Sequence, residues 1–226
     1  MSIINVLDHG FVRLVDSMGS DLSVARAARV SFDAAWRATK GDDKLIYYLW
    51  EHKHTTPFEA VTFTFEVYAP IFVLRQWHRH RTWSYNELSA RYKEVPEKFY
   101  IPDPDKVGTQ SEINKQGRVG TKYGAITKRK AEVNLLEVEC NRAFATYSKL
   151  LKVGWPRELA RSILPINTYS KMFATVNLLN LLKFLDLRRD HHAQYEIRAY
   201  AEALEALANK VVPVCMGAAS IVGSMR

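Results

Sequence analysis

Residues 79–92 read RHRTWSYNELSARY, fourteen residues holding three arginines, a histidine, a glutamate, an asparagine, two serines and three aromatic rings, with a further arginine, Arg75, just upstream. A guanidinium is a planar fork of five N–H donors, suited to bidentate binding of a phosphate or of the imide edge of a uracil-like base. Arg161 and Arg188 offer the same chemistry further along. An isolated arginine is ordinarily a solvated surface charge. This cluster reads differently, because Ser84, Asn86, Glu87 and Ser89 are interleaved with it, and small polar groups beside arginines make an anion-binding loop.

Six of the seven histidines come in close pairs, His52 with His54, His78 with His80, and His191 with His192. A closed metal site needs three or four convergent ligands, and no HExxH motif is present, so no metal is expected and the histidines read as structural or cofactor-contacting. The two cysteines show no metal-like spacing: Cys140 falls on the apolar stripe of a long helical pattern, and Cys215 follows a helix stop with no neighbouring base. Neither reads as a nucleophile. No GxSxG elbow, GxGxxG loop or P-loop replaces them, so redox chemistry needs a cofactor held by other means.

The chain has 226 residues and a formal charge of +8, which favours an anionic partner: nucleic acid, nucleotide or phosphorylated metabolite. Trp77, Trp83 and Tyr85 among the arginines keep a single-strand nucleic-acid binder open, and the paired histidines keep open a metal-dependent hydrolase of nucleotides. There is no run long and apolar enough for a membrane span and no signal-peptide pattern at the N-terminus, so no membrane partner is expected and the cytoplasm is the default compartment.

The elements that must carry these residues are partly readable. Residues 4–17 suit a hairpin around Gly10. Asp21 is placed to cap a helix over 22–32 whose inner side holds Leu22, Ala25, Ala28 and Phe32, and a second helix spans 42–51. VTFTFEVYAP alternates with period two, Val61, Phe63, Phe65 and Val67 against Thr62, Thr64, Glu66 and Tyr68, which predicts a half-buried strand. Pro70 opens a helix that ends as the arginine motif begins, the motif itself being loop and strand. Residues 101–120 have the composition of a surface excursion. From about Ala125 a long helix carries Leu136, Cys140, Ala143, Phe144, Tyr147 and Leu151 on one stripe until Gly154 and Pro156 stop it, and a short helix then carries Arg161. Residues 168–177 fit strand or helix, while 178–188 and 193–211 read as helices. Helices and strands are mixed without regular alternation, which predicts an α+β fold of mixed helices around a mainly antiparallel sheet, in one domain over residues 1–226.

RHRTWSYNELSARY also resembles the RHRxxSxNExSxRY signature of the flavin-dependent thymidylate synthases, agreeing at Arg79, His80, Arg81, Ser84, Asn86, Glu87, Ser89, Arg91 and Tyr92. The resemblance continues through RAARVSF at 26–32, HTTPFE at 54–59, PIFVLRQW at 70–77, PRELARSILP at 156–165 and LRRDHHAQYEIR at 187–198, least so near 103–130 and in the C-terminal tail. It implies a homotetramer with sites between subunits. There FAD, reduced by NADPH, and methylenetetrahydrofolate convert dUMP to dTMP. It further implies that Gln76, Arg79, Glu87, Ser89, Ala90, Arg91 and Arg161 contact dUMP, with Arg188 on the pyrimidine. FAD is implied against Ser31, Thr56, Glu59, Arg79, His80, Arg81, Thr82, Glu87, Asn177, Leu179, Lys183 and His192, with His54 and Arg188 as the catalytic pair.

Three positions depart from the family's pattern. Leu179 stands where arginine is common, Lys183 where asparagine or histidine is frequent, and Ala90 where glycine is common. Lys183 lies one helical turn from Leu179 on the same face, so its cation is placed to replace the missing one.

Overall fold

The strand with the clearest period-two signal lies at the centre of the sheet. In the computed structural model, which describes residues 2–36, 41–113, 115–120 and 126–223, five strands pair antiparallel throughout: β1 (Ile3–Val6), β2 (Gly10–Met18), β3 (Thr62–Pro70), β4 (Ser84–Glu87) and a fifth, Tyr169–Asn177. A separate two-residue hairpin within the 101–120 excursion supplies β5 (Thr109–Gln110) and β6 (Arg118–Val119), so the fifth strand of the main sheet is β7, and the order is β1-β2-β3-β7-β4. The stretch 168–177, readable either way, is thus strand from Tyr169 on, with β3 on one side and β4 on the other.

The alternation on β3 sorts its side chains as expected. Val61, Phe63, Phe65 and Val67 are fully buried, and the register sets Phe63, Phe65 and Val67 beside Val176, Ala174 and Met172, which are buried as well. Each such burial stabilises the fold by about 1.5–3 kcal/mol. The opposite face is polar: Thr64 and Thr175 hydroxyls meet at 3.0 Å, and Glu66 takes Arg13 and Lys171, each at 3.1 Å. The core face is closed by helices α1 (Asp21–Arg29), α2 (Asp42–Glu51), α3 (Ile71–Trp77) and, from the second half of the chain, α7 (Leu178–Arg188), α8 (Tyr195–Ala208) and α9 (Pro213–Gly223). Between these two sets lie α4 (Pro104–Val107), α5 (Ile126–Lys152) and α6 (Arg157–Ala160).

Gly10 is required where it stands. A Cβ there would meet the Tyr200 hydroxyl at 1.9 Å, and that hydroxyl donates to the Tyr68 carbonyl at 2.7 Å, fastening α8 to the sheet.

Several expectations are corrected. Phe32 is 84% exposed, because the chain leaves α1 after Arg29 for a tighter 3₁₀ turn at Val30–Phe32 that rotates it off the α-helical stripe. Leu22 is exposed in the first turn of α1, and Leu136 is exposed because α5 meets its small satellite core only in its later turns, through Phe144 and Tyr147. Asp21 does not cap α1, whose start is closed by Ser20 and Ser23. Its carboxylate instead accepts from the Val214 and Cys215 amides at 3.1 and 2.9 Å, capping α9. Pro213 therefore begins a helix, and Cys215 lies fully buried in its first turn. The 101–120 excursion contains α4 and the β5–β6 hairpin. Among the described residues no helix is long and apolar enough to cross a membrane.

Candidate functional site

The last residue of α7 meets the end of α3. Arg188, half-buried, donates from Nε to His80 Nε2 at 2.9 Å and from Nη2 to the Gln76 carbonyl at 3.3 Å. For Nε2 to accept, the imidazole must be neutral with its proton on Nδ1. Burial, reinforced by the adjacent Arg188 cation, pushes the His80 pKa down to about 4 and secures that state at neutral pH. Burial also lowers the Arg188 pKa, yet a guanidinium stays charged at neutral pH. The result is a cation fixed on two sides, with no described residue accepting from Nη1.

Packing holds this arrangement. Trp77 and Trp83 are buried edge to face at 5.7 Å, and both lie on Phe184 of α7, at 4.9 and 5.2 Å. The Tyr85 hydroxyl reaches the carbonyls of Trp77 and His80 at 3.0 and 2.9 Å, tying the arginine-rich turn back onto α3. Two of the three aromatics that kept nucleic-acid stacking open are therefore core residues, which removes the platform that reading required.

A second group forms beyond β4. Glu87 accepts from the buried Ser170 hydroxyl at 2.6 Å, and the Ser89 hydroxyl accepts from the Arg91 amide at 3.3 Å. Arg91 and Arg161 converge on one residue, Arg91 on the Glu158 carboxylate at 3.4 Å and Arg161 on its carbonyl at 3.4 Å. An exposed ion pair, and a single long hydrogen bond to an exposed carbonyl, are worth little, so both guanidiniums can be given up to a stronger anion.

The third group lines a cleft of about 950 Å³ between α2, α7 and α9. Its apolar floor includes Trp50, Leu179 and Met216, and the cations Lys53, Lys183, Arg188 and Arg189 stand around it together with Asp186, Asp190 and His192. An apolar floor flanked by cations suits a flat aromatic ring joined to phosphates, so the residues fit a flavin dinucleotide. Asn177 caps α7, its Oδ1 accepting from the Asn180 amide at 2.9 Å. His192 is set by Asp190, which accepts from its backbone at 2.7 Å and lies 2.9 Å from its Nδ1; those contacts hold the Asp190 carboxyl below its ordinary range.

Thus Gln76, His80 and Arg188 come together, as do Arg91 with Arg161, and Leu179, Lys183, Arg188 and His192 share the cleft. Thr55 lines the cleft, with exposed His54 and Thr56 as its chain neighbours. Ser31, Glu59, Arg79, Arg81 and Thr82 are exposed and outside the cleft lining, and Ala90 is half-buried. Among the described residues one set of potential metal ligands converges, Asp190, His191 and His192; all three are consecutive and exposed. Glu158, Ser170, Asp190, Gln194 and Glu196 contact predicted site residues, or each other behind them, and were not singled out from sequence.

The sequence matches the family described as "Thymidylate synthase complementing protein" over residues 13–214. The flavin-dependent thymidylate synthase of Wolbachia pipientis wMel is 46% identical over 213 residues, 94% of this chain and 74% of that protein. The enzyme of the same name from Thermotoga neapolitana is 46% identical over 210 residues, 93% of this chain and 90% of that one. Among solved structures, the UMP/dUMP methylase PolB from Streptomyces cacaoi bound with 5-Br dUMP superposes with a TM-score of 0.86 at 38% identity, covering 96% of this chain and 97% of that one.

Proposed function

The chain belongs to the thymidylate synthase complementing family, and from that premise we propose that it methylates dUMP at C5 to give dTMP, with FAD as cofactor and NADPH and methylenetetrahydrofolate as cosubstrates, in a homotetramer whose sites lie between subunits. The observation that carries the reading is the anchored Arg188 guanidinium, held by a neutral histidine and a backbone carbonyl beside the arginine motif.

On this reading Arg188 binds the N3 and O2 edge of the pyrimidine. Forming a bond from C5 requires electron density on the ring, and a preorganised cation at that edge stabilises the negative charge as it develops. Because His80 and the Gln76 carbonyl already fix the side chain, little reorganisation is needed when substrate arrives. Arg91 and Arg161, with Glu87, Ser89 and Ala90, receive the phosphate, and Gln76 and Arg79 complete the nucleotide contacts. Flavin, when bound, supplies the hydride that completes the methyl group, the cofactor carrying the redox step while the protein orients it. Asn177, Leu179, Lys183 and His192 would hold it, with Ser31, Thr56, Glu59, Arg79, His80, Arg81, Thr82 and Glu87, and His54 would stand beside it.

Both cysteines support a mechanism without a protein thiolate. Cys140 is 2% exposed and packs on Asn167, and Cys215 is fully buried, where desolvation and the adjacent Asp21 carboxylate push its thiol well above the ordinary range.

The test is an absorbance spectrum of the purified protein, followed by tritium release from C5-labelled dUMP with all cosubstrates. A flavin spectrum and dUMP-dependent release are expected. Arg188→Ala should keep the fold and, when loaded with FAD, lose turnover by about a hundredfold or more, the scale of a lost charge-stabilising donor. A protein that cannot be loaded with FAD, or near-normal release in that variant, would overturn the reading or the role given to Arg188, respectively.

A further inference from the structure

A carboxylate with almost no access to solvent lies behind the site. Glu196, 1% exposed in the first turn of α8, accepts three hydrogen bonds: from the Tyr100 hydroxyl at 3.1 Å and Arg118 Nη2 at 2.9 Å on Oε1, and from Gln194 Nε2 at 2.8 Å on Oε2. Burying a charge is costly unless it is paired and bonded, and here it is both. Arg118 reaches it from the β5–β6 hairpin and Tyr100 from the segment leading into the excursion, so the carboxylate also fastens that excursion to the start of α8.

The contact through Gln194 leads toward the nucleotide. An ionised carboxylate only accepts, so Gln194 must turn its NH₂ to Glu196 and its Oε1 away. That oxygen accepts from Gln76 Nε2. Gln76 is therefore left with its own Oε1 and one N–H, in a single amide orientation, on the residue whose carbonyl holds Arg188. We infer that Glu196 is a positioning residue for the nucleotide, fixing the polarity of the Gln194 and Gln76 amides in sequence so that Gln76 meets dUMP in one orientation. The inference rests on the reading of Gln76 as a dUMP contact. With a glutamine at 196 the terminal group donates as well as accepts, so both amides lose their directing partner.

The test compares wild type, Glu196→Gln, Gln194→Leu, Gln76→Ala and the Gln194→Leu/Gln76→Ala double variant, by equilibrium dUMP binding to the FAD-loaded protein and by KM and kcat for tritium release. Gln194→Leu and Glu196→Gln should each raise Kd and KM for dUMP by about five- to tenfold, the effect of one lost hydrogen bond, with flavin content unchanged. Turnover at saturating dUMP should stay within about twofold, since the contact is made equally in ground and transition states. The double variant should bind no more weakly than Gln76→Ala alone, because the two residues act in series. Gln194 is exposed, so its variant keeps the test informative even if Glu196→Gln folds poorly. Wild-type dUMP affinity in Gln194→Leu, or additive losses in the double variant, would overturn the inference. Failure of the functional reading looks different, since wild type itself would then neither bind dUMP nor release tritium.

Discussion

Arg188 has five N–H donors, and their existing commitments decide what remains for a ligand. Two engagements hold it, and the one to His80 depends on the imidazole staying neutral. The His80 pKa of about 4 in the fold lies below its ordinary 6.5. Between those values the unfolded chain binds more protons than the folded one, so the contribution of this group to stability is present above pH 6.5, falls as pH drops toward 4, and changes no further below. Protonation also turns Nε2 from acceptor to donor and sets a second cation beside Arg188. Glutamine offers an acceptor at about the same reach without titrating. In His80→Gln, the fall in urea midpoint between pH 7 and pH 5 should be smaller than in wild type. His80→Ala should bind dUMP more weakly at every pH. Equal pH slopes in His80→Gln and wild type would show that this imidazole is not the titrating group.

At the scale of elements, Asp21 shows what a local signal can and cannot say. An aspartate before an amphipathic run is a cap candidate, and Asp21 does cap a helix, but the amides it serves are those of Val214 and Cys215. Sequence supplies the side chain's preference and not the distant N–H groups that come to meet it. Asp21→Ala should therefore destabilise the fold by about 1–2 kcal/mol, through α9 and not α1. Hydrogen exchange localises the effect: faster exchange confined to the start of α1 would contradict it. The same division runs through the other elements. The strand β3 was legible because four consecutive alternations leave one buried face, while Leu136 was misplaced because periodicity says which residues of α5 share a stripe and not which turns the chain covers. Glu196 carried a readable signal that went unused, lying on one stripe with the buried Tyr200, Ala203 and Leu207 of α8. A carboxylate on an apolar stripe must have partners somewhere, and that requirement identifies it before any partner is known.

For the molecule as a whole, the fold class followed from the unordered mixture of helix and strand signals, and the residue types of the site from one fourteen-residue motif; the grouping of those residues did not. Arg91 and Arg161 meet at Glu158, Arg188 meets Gln76 and His80, and the cleft is lined by Arg188 but by neither of the others. On the proposed reading both groups bind one dUMP, a dianion with its phosphate at one end and its imide at the other. If sites lie between subunits, one chain supplies the phosphate arginines and its neighbour the Arg188 cluster. Arg91→Ala and Arg188→Ala homotetramers should then each be nearly inactive. Mixed tetramers assembled at equal ratio should recover activity, because a site that draws Arg188 from an Arg91→Ala chain and Arg91 from an Arg188→Ala chain is intact. Random assembly makes about a quarter of the sites intact in this way, so mixed preparations should reach roughly a quarter of wild-type turnover. Sites contained in one chain would stay defective in either parent, and no mixing ratio would restore them. Coexpression of the two variants with different tags, tandem purification of the mixed species and assay of tritium release therefore decides whether the two arginine groups meet across an interface.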